Sequence, residues 1–257
     1  MNQSKHLTNS LDGKVALVTG AGAGIGAAVA LELGRRGAAV AVNYLSNRAQ
    51  AETVVAEIEK SGGRALAVQG DVQQQDSVTM MVDRVEQELG AIDTLVLCAA
   101  PPAFWSHFID QPLATFEEKL LAETRSFFIT AQRVANDMAK RGSGCIIGLS
   151  SVLARKTSEG FATHAIAKSA VEAMLRSMAL ELAPAGVRVN TVAPSLTRTP
   201  GSSWVPEQAI EQTITETPLG RLCTPEDVAK VVAMVASDDA AFMTGACVPV
   251  NGGLLLG

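Results

Sequence analysis

Tyrosine is nearly absent from this chain: among 257 residues there is one, Tyr44, beside two tryptophans, seven phenylalanines and three histidines. Any site that needs a phenol has a single residue to draw on. The four cysteines, Cys98, Cys145, Cys223 and Cys247, are scattered, with no C-x-x-C pair and no histidine at metal-ligand spacing. They read as reduced, mostly buried thiols, and no metal site is expected. No apolar run approaches the roughly 18 residues that span a bilayer, and the polar stretch Met1 to Lys14 contains no apolar segment of signal-peptide length. Basic residues are outnumbered, 21 against 26, for a net charge of −5, which argues against nucleic-acid and anionic-membrane partners. A cytoplasmic protein acting on a small molecule is the expectation.

What is present is ordinary globular material, 47% apolar and 18% charged, in a chain long enough to bury about three quarters of its unfolded surface. No repeat or Pro-rich linker divides it, so 1–257 is read as one domain with 1–12 a flexible N-terminal segment. Short apolar runs alternate with helical patterns. Strands are expected at 14–19, 38–43, 65–68, 93–97, 145–149, 187–192 and 246–250, and helices at 27–36, after Asn47, and through Val78, Met81, Val82, Val85 and Leu89. The strands are near-continuously apolar rather than alternating, as strands covered on both faces of a parallel sheet are. The fold class is α/β: a doubly wound Rossmann fold with a central parallel sheet of about seven strands flanked by helices.

Between the first strand and first helix lies Thr19-Gly20-Ala21-Gly22-Ala23-Gly24-Ile25-Gly26. There, backbone N–H groups and the helix dipole can meet a pyrophosphate, and glycines permit both the tight turn and the close approach. This predicts dinucleotide binding. The second strand ends in Asn43-Tyr44-Leu45-Ser46-Asn47-Arg48, without the carboxylate that usually binds an adenosine 2′-hydroxyl. Hydroxyl, amide and guanidinium donors favour NADP(H) over NAD(H). Alternatively, Ser46 and Asn47 only cap the following helix and Arg48 is a solvated charge.

These features make the chain resemble the short-chain dehydrogenase/reductase family, in particular its β-ketoacyl-carrier-protein reductase group, from about Gly13 to Gly253. The Thr19 to Gly26 turn matches Thr-Gly-x-x-x-Gly-x-Gly; Asp71-Val72 matches an Asp-Val pair that meets adenine; 187–190 and 251–253 match later landmarks. Tyr44 falls where NAD-specific members carry aspartate. The resemblance further implies cofactor contacts at Ile25, at Cys98-Ala99-Ala100 (in place of Asn-Ala-Gly), at Pro194-Ser195 (in place of Pro-Gly), at Thr197 and, better matched, at Thr199.

The family's reaction uses a serine, a tyrosine and a lysine that binds the nicotinamide ribose. Ser151 and Lys168 occupy the first and last positions, but the tyrosine position, four residues before Lys168, holds His164. The enoyl reductases' tyrosine position holds Phe161, and the family's helix asparagine is replaced by Glu123. Imidazole is a chemically credible proton donor, with Lys168 disfavouring and Glu123 favouring its charged form; otherwise His164 is an inert polar residue. Alternatively, Glu123 is a helix glutamate pairing with Lys119 or Arg125, or a simply solvated one. Ser150 is expected to pack behind the site, although its adjacency leaves the choice with Ser151 open to an error of one. His107, on a loop, could line the same cleft.

The segment 196–220 is expected to be a substrate lid anchored by Trp204. With Phe104, Trp105, Phe108, Leu153 and Phe161 it implies a mainly apolar substrate pocket. Thr224-Pro225-Glu226-Asp227 reads as a capped helix start. The helix 162–183 carries more apolar residues than one packed face needs, and the resemblance implies a homotetramer, or a homodimer. The resulting expectation is an NADP(H)-dependent carbonyl reductase with Ser151 orienting, His164 donating and Lys168 binding ribose. Two alternatives remain: a non-redox dehydratase, isomerase or cyclase using His164 and Glu123, and an inactive nucleotide-binding protein.

Overall fold

The computed structural model describes residues 10–256; most of the expected flexible segment 1–12, namely 1–9, lies outside the described residues. Each strand forms where the apolar runs lie: β1 (Val15–Val18), β2 (Ala39–Tyr44), β3 (Arg64–Gln69), β4 (Thr94–Leu97), β5 (Gly144–Leu149), β6 (Val187–Pro194) and β7 (Cys247–Val250). All pair in parallel, in the order β3-β2-β1-β4-β5-β6-β7. The seven expected strands are thus found, with no end displaced by more than two residues. Between them run α1 (Gly24–Arg35), α2 (Arg48–Lys60), α3 (Gln75–Glu88), α4 (Leu113–Arg141), α5 (Ala162–Leu182), α6 (Glu207–Glu216) and α7 (Pro225–Ala236). Helix α1 starts three residues before the expected Ala27, taking the last glycines of the turn into its first turn.

Successive strand residues point to opposite faces, which builds two cores. Val18, Val40, Val42, Val96 and Ile147 pack under α1, α2 and α7; Leu17, Leu95, Leu97 and Ile146 pack under α3, α4 and α5. Each fully buried aliphatic side chain contributes about 1.5–3 kcal/mol. The strand order reverses between β1 and β4, and the crevice beyond the carboxyl ends of the strands at that point is where doubly wound sheets take ligands.

The expected caps are present. Asn47 accepts from the Gln50 N–H at 3.2 Å at the head of α2, and Thr224 and Asp227 form a reciprocal capping box at the head of α7, a device of about 1 kcal/mol. The four cysteines are free, but only Cys145 and Cys223 are buried; Cys98 and Cys247 are partly exposed, because they sit at the rim of the sheet rather than inside it. Among the described residues, no group of three His, Cys, Asp or Glu is arranged to hold a metal ion, and no helix is long and apolar enough to cross a membrane.

Candidate active site

The glycine-rich turn is built by exclusion. Gly20 has φ +63°, and a Cβ there would stand 2.9 Å from the Ala99 Cα; a Cβ on Gly26 would stand 2.3 Å from the Gly20 carbonyl oxygen. Gly24 has φ +57° and faces the Thr199 side chain, which brings the end of the β6 segment over the head of α1. The N-cap, Ala23, offers no side chain to the first N–H groups of α1, and its first turn holds no acid. That leaves those donors and the positive end of the dipole to an anion. The residues present therefore fit a dinucleotide pyrophosphate.

Two buried polar residues hold this turn, Thr19 from the motif itself and Asn43 from the end of β2. Thr19 Oγ1 accepts from the Cys98 and Ala99 N–H groups at 2.9 and 3.1 Å, tying the turn to the segment after β4. The Asn43 side chain accepts from the Gly20 N–H at 3.1 Å and donates to the Gly70 carbonyl at 3.1 Å. At the end of β2, Arg48 is exposed and paired with Glu52 at 2.7 Å, and Ser46 is exposed. Asp71 Oδ1 accepts from the Gln73 N–H at 2.9 Å, beside a partly buried Val72. At the other rim, Pro194 ends β6 and Ser195 follows it, both buried, and the buried Thr197 hydroxyl donates to the Ser195 carbonyl at 2.9 Å.

On the neighbouring side of the crevice, α4 and α5 bring together residues far apart in sequence. Glu123 is wholly buried, 0% exposed, between two lysines: Lys119 Nζ lies 2.6 Å from its Oε2 and Lys168 Nζ 2.6 Å from its Oε1. By distance these are close ion pairs, though not well-aligned hydrogen bonds. Lys168 also donates to the Leu149 carbonyl at 2.8 Å, and Lys119 to the Pro101 carbonyl at 2.6 Å. Glu123 thus pairs with Lys119 as the helix spacing allows, but it is not solvated, and Arg125 turns away to the Gln73 carbonyl at 2.7 Å. Lys119, 3% exposed, is the site residue whose burial sequence reasoning missed; its i,i+4 spacing to Glu123 was the available signal.

His164 lies one helical turn before Lys168, with Nδ1 buried and unpartnered. Ser151 caps a short 3-10 turn (Val152–Ala154), its Oγ accepting from the Leu153 N–H at 3.2 Å. Ser150 is buried and donates to Glu172 Oε1 at 2.8 Å, behind the site.

Burial raises the Glu123 carboxyl pKa, but the Lys168 and Lys119 charges outweigh that and hold it at about 2. The expected compensation at His164 does not occur. Burial first, then the Lys168 and Lys119 charges, lower its imidazole to about 4, against a smaller upward pull from Glu123. Burial is the main reason, and the second lysine adds to it, since two ammonium groups face one carboxylate. Burial pushes the Cys98 thiol up to about 11, which keeps it protonated.

A depressed histidine binds its proton in the unfolded chain before it does in the folded one. His164 therefore contributes stability that is complete above about pH 6.5 and lost as pH falls to about 4, on the order of 3 kcal/mol at 1.36 kcal/mol per unit. Denaturant unfolding of wild type and His164→Phe across that range is expected to show a shallower acid loss in the variant. Parallel curves would contradict the depressed value.

The aromatic residues gather around the segment before α5. Gly160, at φ +78°, is covered by Trp105, whose indole nitrogen stands where a Cβ would be, 2.1 Å away. The Phe161 and Trp204 rings are 6.1 Å apart, so the 196–220 segment reaches the head of α5. Phe104 and Leu153 are partly buried. Phe108, expected among the pocket residues, is instead 76% exposed on a short 3-10 turn, and the exposed His107 lies 3.4 Å from Glu159 on the rim.

Residues 20–255 match the family model described as Enoyl-(Acyl carrier protein) reductase. The chain is 35% identical over 255 residues to versicolorin reductase of Emericella nidulans, covering 95% of this chain and 96% of that one. It is also 35% identical over 253 residues to 3-oxoacyl-[acyl-carrier-protein] reductase of Staphylococcus aureus, covering 95% and 98%. Among solved structures, a 7α-hydroxysteroid dehydrogenase complexed with NADH and 7-oxo glycochenodeoxycholic acid superposes with a TM-score of 0.91 at 33% identity, covering 98% of each chain. A short-chain type dehydrogenase/reductase from Mycobacterium marinum gives 0.91 and 33%, covering 98% of this chain and 99% of that one.

Proposed function

Because the chain belongs to the short-chain dehydrogenase/reductase family, we propose that it reduces a carbonyl on a mainly apolar small molecule with NADP(H), using His164 where the family uses tyrosine. The observation that carries this reading is the buried, unpartnered ring nitrogen of His164 one turn from Lys168, beside an intact dinucleotide turn. The nicotinamide, when bound, supplies hydride to the substrate carbon. Ser151 Oγ accepts one backbone N–H, which leaves its own proton free to hold the carbonyl oxygen. His164 holds that oxygen through a ring N–H, and the proton is given by its imidazolium, the minor form of a group lowered to about 4, which leaves neutral imidazole as the alkoxide becomes an alcohol. Lys168 donates one N–H to the Leu149 carbonyl and is ion-paired with Glu123, which leaves an N–H for the ribose. Glu123, enclosed by its lysines, balances charge and holds Lys168 rather than meeting substrate.

The preference for NADP(H) rests on the absence of a carboxylate at the end of β2, where Asn43-Tyr44 stand, and on Arg48, whose pair with Glu52 is exposed and therefore weak. Gly20, Gly22, Gly24, Ile25, Gly26, Tyr44, Ser46, Asn47, Arg48, Asp71, Val72 and 98–100 form the adenosine and pyrophosphate side of this reading; Pro194, Ser195, Thr197 and Thr199 close the nicotinamide side. Phe104, Trp105, Leu153, Phe161 and Trp204 form the substrate pocket. Exposed Leu121 and Phe128 on α4 and Ile166 and Leu180 on α5 support a homotetramer, or a homodimer, assembled through these helices.

The test is oxidation of NADPH and of NADH by purified protein against ketoacyl thioesters, diketones, quinones and enones, followed by nicotinamide absorbance. Consumption with NADPH preferred is expected. Turnover without absorbance change would select the non-redox alternative, and tight binding without turnover the inactive nucleotide-binding one.

A further inference from the structure

A continuous chain of buried polar contacts crosses the site. It runs from the Pro101 carbonyl to Lys119 at 2.6 Å, from Lys119 to Glu123 at 2.6 Å, from Glu123 to Lys168 at 2.6 Å, and from Lys168 to the Leu149 carbonyl at 2.8 Å. It thereby joins four separate segments. Pro101 follows the Cys98-Ala99-Ala100 stretch that is tied to the glycine-rich turn through Thr19. Lys119 and Glu123 lie on α4, Lys168 on α5, and Leu149 ends β5 two residues before Ser151. We infer that Lys119 is a positioning residue of this site, the outer end of a buried clamp that fixes the segment after β4 and, through Glu123, the ammonium of Lys168.

The charge arithmetic explains why a lysine stands there. A carboxylate buried between Lys168 and an apolar neighbour would pair with one cation and balance its charge. With Lys119 added, the cluster carries one positive charge in excess, two ammonium groups against one carboxylate, in surroundings where water does not screen it. Such an excess is unfavourable in the resting protein and is offset when negative charge appears beside it, which is the condition of a carbonyl oxygen accepting hydride. Removing Lys119 relaxes the clamp mechanically, by releasing the Pro101 carbonyl, and removes the excess charge that His164 feels. The charged groups facing His164 are Lys168 on its own helix and Lys119 and Glu123 on α4.

This inference rests on the proposed reductase reading only for the oxygen that receives the charge; clamp and charge are measurable without turnover. Lys119→Met and Lys119→Met/Glu123→Gln are compared with wild type. The double variant restores the wild-type net charge of the cluster without the clamp's ion pairs, and it keeps the test informative if the single variant folds poorly. With only three histidines in the chain, the His164 ring is followed by NMR and identified by its absence in His164→Phe. Lys119→Met is expected to raise the His164 titration midpoint by about one unit, and the double variant to bring it back towards wild type. NADPH binding, followed by fluorescence, is expected to weaken about tenfold in both variants, the scale of one charged hydrogen bond lost. An unmoved midpoint together with unchanged NADPH binding would overturn the inference, as would a double variant whose midpoint stays with that of Lys119→Met. Failure of wild type to bind NADPH would instead count against the dinucleotide reading, leaving the titration arm to decide the role of Lys119.

Discussion

His164→Phe is expected to lower kcat/KM for carbonyl reduction by about 10²–10⁴-fold, the usual contribution of a positioned acid or base, while leaving NADPH affinity within about twofold, because the dinucleotide turn is built from β1, α1 and the segment after β4. Phenylalanine fills the imidazole's place without a donor, so packing around α5 is retained. With wild type, the pH dependence of kcat/KM reports the same group. Its midpoint lies near 4, so activity in the reducing direction is expected to rise as pH falls from 8 towards 5, with no inflection near the ordinary histidine value of 6.5. Steady-state kinetics with the best substrate of the panel checks both. Full activity in the variant would remove His164 from the chemistry.

Glu123→Leu is expected to have the largest effect on stability. The substitution leaves two buried ammonium groups facing an apolar side chain, and loss of the central partner of a buried ion triad costs about 3–5 kcal/mol. For a chain of this size that corresponds to a fall in Tm on the order of 10 °C. Adding Lys119→Met to it is expected to recover part of the loss, since one of the two stranded charges is then gone; thermal unfolding by circular dichroism at neutral pH reads both. A Glu123→Leu variant as stable as wild type would mean that the lysines escape to solvent and that the triad is not a unit.

The seven strands, the glycine-rich turn and the helix caps were legible because each depends on neighbours within a few residues. Continuous apolar runs signal strands covered on both faces. Glycines between a strand and a helix signal a turn with no room for a Cβ, and Thr224 three residues before Asp227 signals a capping box. That the chain's one tyrosine ends β2 and that a histidine stands four residues before Lys168 was equally plain.

The electrical state of that histidine was another matter. Spacing along the chain paired Lys119 with Glu123 but could not tell a solvated helix pair from a buried one, and it gave the imidazole one cation and one anion as neighbours. Packing of α4 against α5 brought Lys168, 45 residues beyond Glu123, onto the same carboxylate and enclosed all three groups. The turn-holding roles of Asn43 and Thr19 were not legible for the same reason, because their partners, Gly70 and the segment after β4, come near only once the sheet has formed. Amino-acid order alone determined the fold, the dinucleotide turn and which chemical groups the site contains. Only the tertiary structure decided which charges meet away from water, and there the cost of burial, joined by the Coulomb forces of a surplus ammonium, lowers the protonation midpoint of the group proposed to do the chemistry.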